Sequence, residues 1–176
     1  MPISTPQLSL VSALLAVSLS ACGGSEATDA EDILTGAPGP AIPESYWSEI
    51  DHPGALAIAG ARKSAPEGQE LVLVGRVKDF VDGRAVFTLI DSALDPCNID
   101  GDESCPTPWD YCCIESNVQV ENTVTVELLG NNSRPLRTGV QGFHGLDHLD
   151  MVTVRGTPAR DVSGNLTLSL VTLHRR

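Results

Sequence analysis

The 176-residue sequence predicts an all-β fold, a small barrel, and two observations carry that expectation. Five runs of β-branched and aliphatic residues alternate with period two between residues 70 and 174, each bounded on at least one side by Gly, Asn, Asp or Pro. The one interruption that reads as helical or irregular falls between the third and fourth runs.

The chain opens with an apolar, small-residue stretch from Leu8 to Ala21, and its first 21 residues carry no acidic or basic side chain. That length and composition suit the h-region of a signal peptide and fall short of a membrane span. It ends in Leu19-Ser20-Ala21-Cys22, which resembles the lipobox of bacterial lipoproteins. The resemblance implies cleavage before Cys22, acylation of that cysteine and a lipid anchor on the exported side of a membrane. Each buried CH₂ of an acyl chain adds roughly 0.8 kcal/mol, so two or more chains hold a domain on a bilayer durably.

Cleavage there leaves 155 residues, enough for one domain with a proper core. The whole chain has 23 acidic and 11 basic residues, a net charge of −12. Such a charge disfavours loose binding to nucleic acid or anionic lipid, which it repels at long range.

Residues 22–43 are Gly, Ala, Pro, Ser and acid without apolar periodicity, and they read as a disordered tether. Residues 44–69 read as a partly ordered approach segment. Tyr46, Trp47 and Ile50 sit at helical spacing, and Leu56-Ala57-Ile58-Ala59 is a short apolar patch, so a small helix or hairpin packed on the domain is expected.

From residue 70 the domain proper begins. Leu71 to Lys78 and Arg84 to Asp91 are two strands round an Asp82-Gly83 turn. A third strand runs from Asn122 to Leu129, a fourth from Asp150 to Gly156 and a fifth from Asn165 to Leu173, with the irregular segment at Leu136 to Leu149. This order is the plan of the OB-fold barrel. The wording of residues 70–92 and 122–174 also resembles exported OB domains, in the first hairpin, the Asp150-x-Val-x-Val-x-Gly156 strand and the closing Gly164-Asn-Leu strand.

Between the second and third strands lies an insert, residues 92–121, holding Cys97, Cys105, Cys112 and Cys113. Long loops without periodic structure are usually functional, disordered or cross-linked. Four cysteines in an exported chain point first to two disulfides of undetermined pairing, with Cys112–Cys113 disfavoured because a bond between neighbours stores strain. The alternative is a zinc or copper(I) site built from the same four thiols, with His144 and His148, at i and i+4, as further donors. Against it stands the spacing, which is not that of a zinc ribbon, and the expectation that adjacent cysteines rarely turn both sulfurs to one ion. Calcium at residues 98–103 is weaker, since the oxygen donors there lack the ordered loop pattern. Redox catalysis comes last, because Asp110 and Glu115 oppose a low thiolate pKa.

Trp109 and Tyr111 stand beside these cysteines in a chain only 4% aromatic. They read first as a packed mini-core and second as a stacking face, which would need Arg76, Arg84, Arg155 and Arg160 alongside it to hold an oligonucleotide. No sequence pattern joins a nucleophile to a base and an oxyanion donor. The expected function is therefore a non-catalytic binding or scaffold lipoprotein without cofactor, whose partners are the membrane, through its lipid, and a protein or glycan of the cell envelope. A metal-binding lipoprotein is the alternative, and oligonucleotide binding the weakest reading, resting on fold analogy.

Overall fold

A computed structural model describes residues 41–97, 107 and 110–176. The chain forms β1 (Leu56–Ala57), α1 (Ile58–Ser64), β2 (Leu71–Phe80), β3 (Val86–Ile90), α2 (Ser116–Glu121), β4 (Thr123–Glu127), β5 (Met151–Arg160) and β6 (Leu166–Arg175), with 3-10 turns at Glu44–Tyr46 and Phe143–Gly145. The strands follow one another round the sheet as β2-β3-β4-β6-β5, and β5 pairs with β2 to close it. The barrel is five-stranded and mixed: β4 and β6 run parallel and the other four seams are antiparallel. That is the OB order the alternation pattern predicts.

Alternation decides which side chains enter the barrel. Leu73 and Val77 of β2, Phe87 and Leu89 of β3, Val124 and Val126 of β4, Val152 and Val154 of β5, and Leu166, Leu168 and Leu170 of β6 are all buried. In β6 the phase slips by one, so that Leu173 rather than Thr172 points inward. The slip is a bulge: Arg155 faces Thr172 and Gly156 faces Leu170, which leaves Val171 without an opposite number. Gly156 is required at this crossing, because a Cβ there would lie 2.4 Å from the Ser169 carbonyl oxygen.

The segment before the barrel does more than lead to it. β1 pairs parallel to β2 along Leu73 and Val74, the part of that edge which β3 leaves uncovered. The chain then turns straight into α1, whose Ile58 and Ala61 are fully buried in the core. Ile58 fits against Gly75, where a Cβ would meet its Cδ1 at 2.5 Å. Further upstream, Trp47 bridges to Leu173, and the Ser48 N–H donates to the Leu173 carbonyl at 2.8 Å. The irregular segment after β4 contributes Val140 and Leu146 to the core.

One departure from expectation lies in the insert. Its last residues fold as α2, capped at its C-terminal end by the Asn122 N–H donating to the Gln119 carbonyl at 3.0 Å. Six residues are too few for helical periodicity to show in the sequence. Among the described residues, no helix is long and apolar enough to cross a membrane.

Candidate functional site

The insert leaves the barrel at Asp91, which is itself a structural hub. Its buried carboxylate accepts from the Ala59 N–H at 2.8 Å and from the Ala93 N–H at 3.0 Å. The first bond caps α1, whose N-cap residue Ala57 has no side chain able to do so. From there the insert doubles back along the outside of β2. Arg76 donates to the Leu94 carbonyl at 3.3 Å, and the Lys78 ammonium lies 3.9 Å from an Asp110 carboxylate oxygen.

Tyr111 lies on this return, near Arg76 of β2. Its side chain is fully buried, so its ring packs and offers no face to a ligand. The hydroxyl makes no hydrogen bond of good geometry, although the Arg76 guanidinium is near enough to act on it. Desolvation raises the phenol above its ordinary pKa and outweighs the opposing pull of Arg76.

Immediately after Tyr111 the chain makes a tight turn, closed by the Ile114 N–H donating to the Tyr111 carbonyl at 2.9 Å. Cys112 and Cys113 are its two central residues. The Gln119 amide, carried on α2, donates to the carbonyls of both Tyr111 and Ile114 at 2.8 Å, bracketing the turn from its open side. On the other arm, the Cys97 N–H donates to the Asp110 carbonyl at 3.0 Å and brings its thiol up to the turn. The Cys97 sulfur then lies 3.4 Å from that of Cys112 and 3.2 Å from that of Cys113, while Cys112 and Cys113 are 4.0 Å apart. Adjacent cysteines do present both sulfurs to one point here, contrary to the sequence expectation. The turn explains it, since a reversing backbone swings neighbouring side chains to one side.

Among the described residues, the other predicted donors and the arginines do not join this cluster. His144, in the left-handed region with φ of 49°, stacks on Trp47 at 4.2 Å and meets a Glu44 carboxylate oxygen at 2.7 Å. His148 packs edge-on to Phe80 and pairs its Nδ1 with the Lys78 carbonyl at 2.8 Å. The two histidines therefore do not act as a pair at i and i+4. A kink at His144 breaks the helical geometry that this spacing assumes.

Nor do the four arginines form a face. Arg76 lies under the insert, Arg155 pairs with Glu70 at 2.9 Å, and Arg160 donates to the Ala61 and Arg62 carbonyls at the end of α1. Arg84 stands exposed beside the turn between β2 and β3. Cys22, Cys105 and Trp109 lie outside the described residues, as do the acidic residues 98–103.

The partners that shape the site, Asp91 and Gln119, were not singled out by the sequence. Asp91 reads there as a strand end and Gln119 as one more polar loop residue, because their roles depend on contacts made only after folding. The chain matches no family model, and no curated protein matches it in sequence.

Proposed function

We propose that this protein is an exported bacterial lipoprotein, anchored in a membrane through acylated Cys22, whose OB-type barrel serves as a non-catalytic binding or scaffold module of the cell envelope. The observation that carries the placement is Leu19-Ser20-Ala21-Cys22 at the end of an uncharged apolar stretch. The non-catalytic reading draws support from how polar groups are used inside the domain. The buried side chains of Asp91 and Thr153 are both held in hydrogen bonds that join the barrel to other segments, and the buried Tyr111 hydroxyl, its pKa raised, lies near Arg76. The barrel interior is filled by aliphatic side chains and Phe87. Partners of this module therefore meet its outer surface. With a net charge of −12, the partner is a protein or glycan rather than nucleic acid.

Labelling with a palmitate analogue tests the anchor. Wild type is expected to take up label and to sediment with membranes, whereas Cys22→Ser incorporates none and is recovered as an uncleaved or released form. Identical fractionation of the two proteins, with acyl mass on neither, refutes the lipoprotein reading.

A further inference from the structure

We propose that Cys97, Cys112 and Cys113 form a thiolate site for a single zinc ion, where the two arms of the insert meet outside the barrel core. This goes beyond the placement proposed above and stands independently of it.

The three sulfurs are 3.2, 3.4 and 4.0 Å apart. A sulfur–sulfur bond is about 2.05 Å, so none of these separations is one. They are the separations of donors arranged round a common centre, and a disulfide between any two gives no reason for the third to converge. Zinc takes thiolate sulfur at about 2.3 Å. An ion at that distance from all three lies about 1 Å out of their plane, close to the geometry of a tetrahedron with its fourth corner directed away from them. A three-coordinate copper(I) ion prefers to lie in the plane of its donors, which would need a wider triangle. The geometry therefore favours a four-coordinate ion, with one position left for water or another donor.

The donors are also held from outside, as ligand sets need to be. The Tyr111–Ile114 turn fixes Cys112 and Cys113 relative to each other, and Gln119 fixes the turn by its two carbonyls. The Asp110 carbonyl sets the backbone of Cys97, and the Tyr111 side chain is buried with its hydroxyl near Arg76 of β2. Gln119 is thus a positioning residue that touches the carbonyls on either side of the ligands. Solvent reaches the site, since Cys112 and Cys113 are exposed and Cys97 half-buried. An ion can enter without the barrel opening. Binding converts three thiols to thiolates and releases their three protons, so uptake strengthens as pH rises.

The test uses the full-length chain, purified from whole-cell detergent extract without oxygen, and two probes. Native mass spectrometry is expected to show one zinc per chain, with Cys97, Cys112 and Cys113 open to alkylation only after a chelator removes it. Cobalt(II) added to the stripped protein should then give a sulfur-to-cobalt charge-transfer band and the intense visible bands of a tetrahedral centre. Cys112→Ser should lose those bands while keeping the urea midpoint of wild type, because Cys112 is exposed and lies outside the hydrophobic core. Gln119→Leu should keep the tetrahedral spectrum but bind cobalt about 10- to 100-fold more weakly, the usual cost of losing an orienting partner. A disulfide joining Cys97 to Cys112 or Cys113 in the purified material overturns the proposal. So does cobalt bound as well by Cys112→Ser as by wild type, or copper(I) found in place of zinc with no tetrahedral cobalt spectrum.

Discussion

Asp91 shows how much one buried carboxylate can hold when it joins two segments of the chain. It is 3% exposed and accepts from Ala59 and Ala93, one in α1 and the other in the first turn of the insert. Asp91→Ala leaves both N–H groups without that acceptor and should destabilise the fold by about 3 kcal/mol, read as a lower urea midpoint with unchanged slope. Asp91→Asn keeps one good acceptor oxygen and should lose roughly half as much. Equal midpoints for wild type and alanine variant would mean that α1 and the insert are held by other contacts. Ile58 provides the apolar counterpart. Truncation to alanine at this fully buried position opens a cavity beside Gly75, with an expected cost of about 2–5 kcal/mol.

At the scale of elements, legibility follows how each one earns its stability. The five barrel strands were readable because each buries one face, so that period-two alternation is written into residues such as Leu166-Thr167-Leu168-Ser169-Leu170. Even the bulge left a trace, in the break of that alternation at Val171. β1 and α1 were visible only as the apolar patch Leu56-Ala57-Ile58-Ala59. A two-residue strand has no period, and a seven-residue helix spans under two turns and shows its period only once, from Ile58 to Ala61. α2 was invisible for the same reason, and with it the Gln119 bracket. Of the candidate site, the ligand types were legible and their convergence was not, because cysteine spacing carries no information about a turn closed by backbone atoms. His144 and His148 show the opposite failure: their spacing suggested a pair, and a left-handed residue separated them. Deleting the bracket therefore has a local signature. Gln119→Leu should raise hydrogen exchange at the Ile114 amide and leave the amides of β3 and β4 unchanged, and a barrel-wide rise in exchange would show that the side chain supports the fold as a whole.

Across the whole molecule, the residues before β1 act as a strap over the outer face of β5 and β6, and the strap is where acidity should be felt first. Asp51 accepts from the Thr153 hydroxyl at 2.6 Å and from the Arg176 guanidinium at 3.0 Å, and Ser48 exchanges contacts with Leu173 and His174. At its centre the Arg155 Nε donates to the Thr172 hydroxyl oxygen at 3.3 Å, and that hydroxyl stands 3.0 Å from His52 Nε2. With its oxygen accepting from Arg155, Thr172 is free to donate its proton to a neutral His52. Burial lowers the His52 pKa, and the Arg155 charge lowers it further, followed by His174; Asp51 and Glu70 act in the opposite sense and do not prevail. The sign follows from linkage: a histidine whose native pKa is depressed binds a proton more readily when unfolded, so its contribution is intact above about pH 6.5 and is lost as pH falls towards the native value. Asp51, whose pKa is lowered chiefly by the Thr153 hydrogen bond, contributes stability that is present above its ordinary value of 3.8 and is lost in a separate window as pH falls below it. Between pH 7 and pH 5 the strap should therefore loosen while the barrel holds. Hydrogen exchange at the Ser48 amide, which donates to Leu173, should accelerate across that interval in wild type. His52→Gln keeps an acceptor for Thr172 and cannot take up a proton, so exchange at Ser48 should become nearly independent of pH there. A variant whose Ser48 exchange still accelerates as steeply as that of wild type would place the acid sensitivity elsewhere, with His174 the next group to replace.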